Sequence, residues 1–422
     1  MGRRRWLVIF CTFIVAAVSY LDRNNVSIAA SSLQREFRIS NVQLGALFSA
    51  FLLGYALMQP IAGRMADRIG ASRAIGIGII WWSAFTALLP AVPVGIGYAL
   101  AVLMAVRFLL GMGEAIIFPA SNRLVASWIP TRERGLANGI IFAGVGVGGS
   151  IAPPLITFVM LSYSWRWAFW LCSLIGLAAG GLWIYCVRNS PAEDKHIGAA
   201  ELALISAGLP VSSLETRRPV PWRVPVLDRH VAVLTLSYSC YGYVAYMFFT
   251  WLFKYLSDVR GLNLRASALY ATLPFLTMAF ASTLGGLVSD RLVNVIGKRA
   301  ARCGVASVSL FVAGVFVWSA TQVTDIRFAA VVLAGGAGAL YFSQSAYWAI
   351  SADIGGSSAG LVSGIMNMGC SLGGVLTAAL TPVIANAFGW TASFAVAAVV
   401  CFVGAVAWLF IDPFHALTPR AP

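Results

Sequence analysis

Twelve apolar runs follow one another along the chain, near residues 6–30, 41–62, 74–95, 97–125, 134–160, 164–187, 229–256, 266–288, 303–321, 325–350, 358–385 and 389–411. Each is close to the roughly 20 residues that a helix needs to cross a bilayer. In hydrocarbon every backbone polar group must find its partner inside the protein, which for a run of this kind means a helix. The expected fold class is therefore an all-α membrane protein with twelve transmembrane helices. Composition agrees: 59% of the 422 residues are hydrophobic, 10% are charged, and the mean hydropathy is +0.83. Arg3, Arg4 and Arg5 before the first run imitate a secretory signal, but the run is too long for one and we read it as a retained helix.

A formal charge of +14 would suggest nucleic acid as the partner of a soluble chain. Here most Lys and Arg residues, from Arg64, Arg68 and Arg73 to Lys298, Arg299 and Arg302, fall on the side of the N-terminus. Cytoplasmic loops carry the basic excess in membrane proteins. Both termini are thus expected to be cytoplasmic in a plasma membrane, a bacterial inner membrane, with lipid rather than nucleic acid as the surroundings. The seven cysteines stand singly in apolar segments, a pattern of packing residues that calls for no metal and no cofactor.

The second half of the chain repeats the first. Leu136, Gly139, Ile140, Gly144, Gly148, Gly149, Trp165 and Phe169 recur 225 positions on as Leu361, Gly364, Ile365, Gly369, Gly373, Gly374, Trp390 and Phe394. Asp67-Arg68, after the second run, is echoed 223 positions on by Asp290-Arg291. The reading is two pseudo-symmetric six-helix bundles, 1–187 and 229–422, joined by a polar cytoplasmic linker at 188–228 that has room for a short amphipathic helix. Glycines at 144, 146, 148 and 149 and at 360, 364, 369 and 373 let helices approach closely. Pro153 and Pro154 are expected to bend the fifth helix.

Against this background, four charges inside apolar runs stand out: Asp22 and Arg23 in the first, Arg107 and Glu114 in the fourth. A charge at the middle of a span costs about 2.5–3.5 kcal/mol on insertion scales. Their repeat-equivalents are uncharged: Asp22 and Arg23 fall among Ala245, Tyr246, Met247 and Phe248, Arg107 on Ala330, Val331 or Val332, and Glu114 on Ala337, Gly338 or Ala339. The fold does not require ions at these depths. Counted along the helix axes, Arg23 and Arg107 sit ~7 and ~6 Å outward of the middle, with Glu114 ~10 Å deeper than Arg107 on the same face. Two guanidinium groups at one level make a fork for a substrate carboxylate. Asp22 and Glu114 would balance them and take up protons when substrate replaces them. The bland alternative is an ion-pair network that only fixes the first helix against the fourth.

Neutral groups to complete such a pocket are Tyr20, Tyr55, Tyr241, Tyr243, Tyr246, Ser343, Gln344, Tyr347, Trp348 and Asn367, although buried Tyr and Trp commonly just pack or cap. Asp67, Arg68, Asp290 and Arg291 are expected to form an inner gate by pairing across the bundle interface or with helix termini. Arg123, Arg132, Glu133 and Arg134 read as a snorkelling cluster, and His196, His230 and His415, at loops or helix ends, receive no proton role. With no phosphate loop, metal cluster or nucleophile triad, the chain does not read as an enzyme.

These residues resemble the major facilitator superfamily. The stretch Gly63 to Arg73 and its echo look like that superfamily's inter-helix signature. Tyr20-Leu21-Asp22-Arg23, the run from Arg107 through Gly111, Glu114 and Ala115 to Phe118-Pro119-Ala120, and Trp128-Ile129-Pro130 with Glu133-Arg134 resemble the anion:cation symporter family, which includes bacterial galactonate, glucarate and hexuronate carriers. The likeness implies proton-coupled uptake of an organic anion, a sugar acid or related carboxylate, by rocking of two bundles in a monomer. It implies that Arg23 and Arg107 contact substrate, that Asp22 and Glu114 carry protons, and it favours Tyr20, Tyr55 and Asn367 as pocket residues. An exchanger or exporter is the alternative within the class; a non-transporting receptor or membrane enzyme is the alternative outside it. One departure concerns the seventh helix, where Thr250-Trp251-Leu252-Phe253 has Phe in place of the family's frequent Pro and puts the outer bend in question.

Overall fold

The computed structural model describes residues 4–95, 97–130, 134–208, 223–355, 359–415 and 417. Arg3, Arg132, Glu133 and the middle of the linker lie outside the described residues, as do the side chains of Arg64, Asp67 and Arg134. Among the described residues there is no strand. Twelve helices are long and apolar enough to span a membrane: α1 (Arg4–Ile28), α2 (Asn41–Gln59), α3 (Ala71–Ala91), α4 (Ala99–Val125), α5 (Leu136–Ser162), α6 (Trp165–Cys186), α7 (Arg229–Thr250), α8 (Leu264–Val293), α9 (Ala300–Gln322), α10 (Ile326–Gly355), α11 (Leu361–Phe388) and α12 (Trp390–Phe410). Large apolar side chains such as Phe158, Leu174, Leu269, Phe280 and Val308 stay exposed on the outer faces, the side of a spanning helix that meets lipid.

Several spans begin where the sequence supplies a cap for the unpaired amide donors of the first turn. Ser40 accepts from the Gln43 N–H while the Gln43 side chain accepts from the Ser40 N–H, a capping box ahead of α2. Side-chain oxygens of Asp228, Asn263 and Asp325 cap α7, α8 and α10 in the same way. For α1 the cap comes from the linker. Glu201, in a short helix at Ala199–Gly208, accepts from the N–H groups of Arg4 and Arg5 at 3.3 and 3.1 Å. Asp194 takes the Arg4 guanidinium at 2.7 Å. Burial opposes the charge of Asp194, yet hydrogen bonds from the His196 backbone and from Arg4 hold its carboxyl below the usual carboxylate range.

Three spans are interrupted near the centre or the far end. In α4 the helix stops at Glu114, turns at 115–116 and resumes at Ile117. Pro119 accounts for this: it has no N–H for the Ala115 carbonyl, and its ring pushes that carbonyl aside. The tenth span breaks at Ser343. Beyond α7 the helical hydrogen bonds continue through Trp251, and the chain passes through a π turn at Tyr255–Val259 with Phe253 in place of proline. The helix containing α5, by contrast, runs unbroken through Pro153 and Pro154.

The repeat is visible in the packing. A Cβ on Gly148 would stand 2.0 Å from the Ala17 carbonyl oxygen of α1, and one on Gly373 would stand 2.0 Å from the Ser239 carbonyl oxygen of α7. No other residue fits, and the glycines set the same close crossing of α5 on α1 and α11 on α7. The two sets of six helices meet along α2 with α11 and α5 with α8. At the centre α1 meets α7, where the Ser27 hydroxyl donates to the Thr250 carbonyl at 2.7 Å.

Candidate functional site

The four intramembrane charges are all buried, with Asp22, Arg23, Arg107 and Glu114 at 3%, 5%, 2% and 0% exposure. They lie together where α1 and α4 face α7, but they are not equivalent. Arg23 is engaged at all three nitrogens: its Nε and Nη2 both donate to Glu114 Oε2, at 3.1 and 2.7 Å, and its Nη1 donates to the Tyr246 hydroxyl at 2.9 Å. Its guanidinium also lies over the rings of Tyr20, Tyr55 and Phe51, at 4.3, 4.7 and 5.0 Å from their centroids, an arrangement that favours a cation. Counting positions along α4 puts Glu114 deeper than both arginines, and the long Arg23 side chain closes that gap.

Arg107 is in a different condition. Its guanidinium lies 4.5 Å from the centroid of the same Phe51 ring, so the two arginines are no farther apart than the sum of their distances to that ring. Among the described residues no carboxylate lies within 4 Å of it, and its Nε is buried without a hydrogen-bond partner. Asp22 does not fill this place. It turns to α3, where the Thr86 hydroxyl donates to Oδ2 at 2.6 Å, and its Oδ1 is buried without a partner, as is Oε1 of Glu114. A buried cation without a direct anionic partner is a costly arrangement, and an incoming anion would relieve it.

Two small voids adjoin at this point. Arg23 and Arg107 both border one of about 10 Å³, together with Phe51, Tyr246, Phe249 and Thr250. The other, about 30 Å³, is lined by Tyr20, Tyr55, Gln344, Trp348 and Asn367 among others, and it shares Tyr246 and Phe249 with the first. The structure thus brings together around one centre all seven residues expected at a substrate pocket, along with Tyr241 and Tyr246. Voids of this size hold about a water or two, so the site is closed on itself.

Tyr243, Ser343 and Tyr347, also candidates by sequence, stand elsewhere. Tyr243 packs its backbone against Gly373. The Ser343 hydroxyl turns back to the Leu340 carbonyl at 2.6 Å. The Tyr347 hydroxyl meets Ser237 at 2.7 Å while its ring packs 4.8 Å from that of Trp408, which is capping and packing. Of the four expected gate residues, Asp290 pairs with Arg302 on α9 at 2.6 Å, within its own half. Arg68 and Arg291 are exposed, and the Asp67 side chain lies outside the described ones.

Sequence reasoning did not single out Phe51, Thr86, Phe142, Tyr238 or Tyr341, and it named Phe118 only within a motif, with no place in the pocket. Two of these left a signal. Phe51 precedes Tyr55 by one helical turn and shares its face, and Thr86 follows Ser83 by three residues as a polar stripe in an apolar span. Tyr238, whose hydroxyl accepts from Gln344 Nε2 at 3.0 Å, looks like any other aromatic of α7 in the sequence.

Comparison with known proteins agrees with this architecture. The family model described as Major Facilitator Superfamily matches residues 12–378. The chain is 31% identical over 422 residues to a probable sulfoacetate transporter of Cupriavidus necator, covering 100% of this chain and 96% of that protein. It is 31% identical over 404 residues to a probable galactarate/D-glucarate transporter of Bacillus subtilis, covering 91% and 86%. A bacterial homologue of the human lysosomal transporter Spinster, in an inward-facing and occupied conformation, superposes with a TM-score of 0.74 at 19% identity over 97% of each chain, which bears on the fold alone. Twelve apolar helices together with such relatives make this a multi-pass membrane protein, and the relatives are transporters rather than enzymes.

Proposed function

Because the chain belongs to the Major Facilitator Superfamily, we propose that it is a secondary transporter that takes up an organic anion, a sugar acid or related carboxylate, together with protons by alternating access. The observation that carries this reading is the unequal state of two buried arginines beside one void, Arg23 held by Glu114 and Arg107 without a carboxylate. A substrate carboxylate entering the void meets Arg107 first and then competes with Glu114 for Arg23. Each guanidinium offers a planar pair of N–H donors, which suits carboxylate geometry.

Displaced from Arg23, Glu114 would be a buried carboxylate without a counter-charge, and the inexpensive outcome is to bind a proton. Asp22, with one oxygen on Thr86 and the other unpartnered, is the second proton acceptor in this scheme. Neither anion nor proton alone leaves the cluster neutral and paired, which ties their movements together. Residues 1–187 and 229–422 act as the two rocking units about this centre, with 188–228 as the linker, in a monomer. A gating role for Asp67, Arg68, Asp290 and Arg291 at the cytoplasmic mouth would require Asp290 to exchange its present partner Arg302 as the halves move, and the basic excess on that side supports cytoplasmic termini in a bacterial inner membrane. Reconstituted into proteoliposomes, the protein is expected to accumulate a carboxylate under an inward proton gradient. Absence of uptake across a panel of sugar acids, dicarboxylates and aromatic acids would overturn the reading.

A further inference from the structure

The two buried carboxylates of the site differ in what holds them. Glu114 is held through Oε2 by the Arg23 guanidinium, which donates and never accepts. Protonation there would strip a buried guanidinium of its counter-charge, so Glu114 takes its proton only after leaving Arg23. Asp22 sits among groups that do both. The Thr86 hydroxyl of α3 donates to its Oδ2 at 2.6 Å, and a hydroxyl can also accept. Its Oδ1 is buried without a partner. Three residues further along α1 stands Asn25, 0% exposed, with both Nδ2 and Oδ1 unpartnered. Residues at this spacing share a helix face with Cβ atoms about 5–6 Å apart, a distance that an Asp and an Asn side chain together can bridge. Thr86, Asn25 and the charged Glu114 and Arg107 of α4 all bear on the Asp22 carboxyl. Cys172 of α6 is a further titratable neighbour, and Arg23 adjoins it on α1.

The adjacent Asn24 behaves differently, for its Nδ2 donates to the Tyr20 carbonyl of its own helix at 2.8 Å. Asn25 makes no such bond. A buried amide left unpaired is costly, and the group on the next turn is the equally unpaired Asp22 Oδ1. An amide suits a carboxyl that has to exist in two states. Nδ2 donates to the ionised Oδ1, and after half a rotation of the amide its oxygen accepts from the protonated Oδ1–H. Each oxygen of Asp22 then has one partner able to both donate and accept, Thr86 at Oδ2 and Asn25 at Oδ1. We propose that Asn25 is a positioning residue for Asp22 and that, with Thr86, it lets Asp22 bind and release a proton in place, before any substrate arrives. Glu114 exchanges its proton only on displacement from Arg23. This rests on the reading of Asp22 as a proton acceptor given above.

Infrared difference spectroscopy of the purified full-length protein, titrated without substrate, reads the C=O stretch of a protonated carboxyl directly. A titrating band that disappears in Asp22→Asn and persists in Glu114→Gln is expected. Asn25→Leu keeps the volume and removes both polar atoms. It should raise the midpoint of that band by about half to one pH unit, because hydrogen bonds to the ionised form are the stronger ones and their loss favours the protonated form. Asn25→Ala, for which overpacking is no concern, should do the same. Thr86→Val should shift the midpoint in the same direction and move the band to higher frequency, the mark of a carbonyl that has lost its donor. In an Asp22→Asn background Asn25→Leu should leave the remaining carboxyl bands unchanged. A midpoint that stays at the wild-type value in both Asn25 variants, with the band still lost in Asp22→Asn, overturns the role of Asn25 and leaves Asp22 as a proton acceptor. Loss of the band in Glu114→Gln overturns titration of Asp22 in place. A spectrum that Asp22→Asn does not change overturns the Asp22 reading itself.

Discussion

The two halves of the molecule are alike where backbones touch and unlike where charge sits. Gly148 against Ala17 and Gly373 against Ser239 are the same contact twice, at the same 2.0 Å. Ala17 and Ser239 relate α1 to α7 by 222 positions, so Arg23 and Tyr246, 223 apart, are one position from being counterparts, and they are hydrogen-bonded to one another. Ser27 and Thr250, also 223 apart, meet likewise. Near-counterparts that touch lie close to the axis relating the halves, as in an isologous contact. A residue there stands beside the copy of itself or of its neighbour, so a repeated arginine would bring two like charges together inside the membrane. A site built on charge at the axis must therefore break the symmetry. Here the first half supplies Arg23, Arg107, Asp22 and Glu114, and the second supplies Tyr246 and a wall of rings.

The largest effect should come from the charged half. Arg107→Ala is expected to lower the initial rate of carboxylate uptake in proteoliposomes about 100-fold or more, roughly 3 kcal/mol, with Tm unchanged or raised, because a buried cation without a carboxylate contact is being removed. A variant that transports normally would end the claim that this half holds the anion. The packing glycines test the other side of the comparison. Gly148→Ala and Gly373→Ala should each destabilise by about 1–3 kcal/mol, as overpacking does, and by similar amounts in thermal unfolding; a loss confined to one would show that the halves are not equivalent even in backbone contact.

Smaller effects should appear at the axis and on the outer loop. Tyr246→Phe removes one hydrogen bond to a charged group, about 1.5–3 kcal/mol at the upper limit, and should weaken substrate affinity several-fold while proton-driven accumulation persists, measurable as a rise in KM. Glu36, which accepts from Arg166 at 2.6 Å and from the Trp165 ring N–H, ties the short helix Ala30–Phe37 that follows α1 to the start of α6. The Arg166 hydrogen bond holds its carboxyl below the usual range. The corresponding region of the second half uses Arg260 on the carbonyls of Val323 and Thr324. Glu36→Gln should lower stability at neutral pH by less than about 1 kcal/mol, as expected of a partly exposed pair. A group with a depressed pKa contributes above its unfolded value and loses that contribution as pH falls through the folded one. The difference from wild type should thus vanish in acid, which a pair of melting curves would show.

The fold was open to reading because its determinants are one-dimensional. Twelve runs of sufficient length and hydropathy, and glycines recurring at one offset, correspond to the spans and crossings observed. The site was legible as far as composition reaches: charges in apolar runs are conspicuous, and the four are found together. Pairing was not legible. Asp22 is the neighbour of Arg23 in sequence, yet Glu114 takes Arg23 and Asp22 takes Thr86. Rotation of a helix about its axis decides such choices, and a span that is apolar on its lipid face and its core face gives a weak periodic signal of that rotation. For the same reason Tyr241 and Tyr246 face the void while Tyr243 does not, and Phe51, which lies under both guanidinium groups, is marked in the sequence only by its place one turn before Tyr55.

The central claim, that the anion and the proton compete for Arg23 through Glu114, is tested most directly by Glu114→Gln in proteoliposomes loaded with unlabelled carboxylate or left empty. The amide keeps the shape of the side chain and cannot exchange a proton. Counterflow exchange of labelled carboxylate should continue in loaded vesicles, while accumulation in empty vesicles under an inward proton gradient should be lost. Accumulation by the variant to the wild-type level would contradict the account.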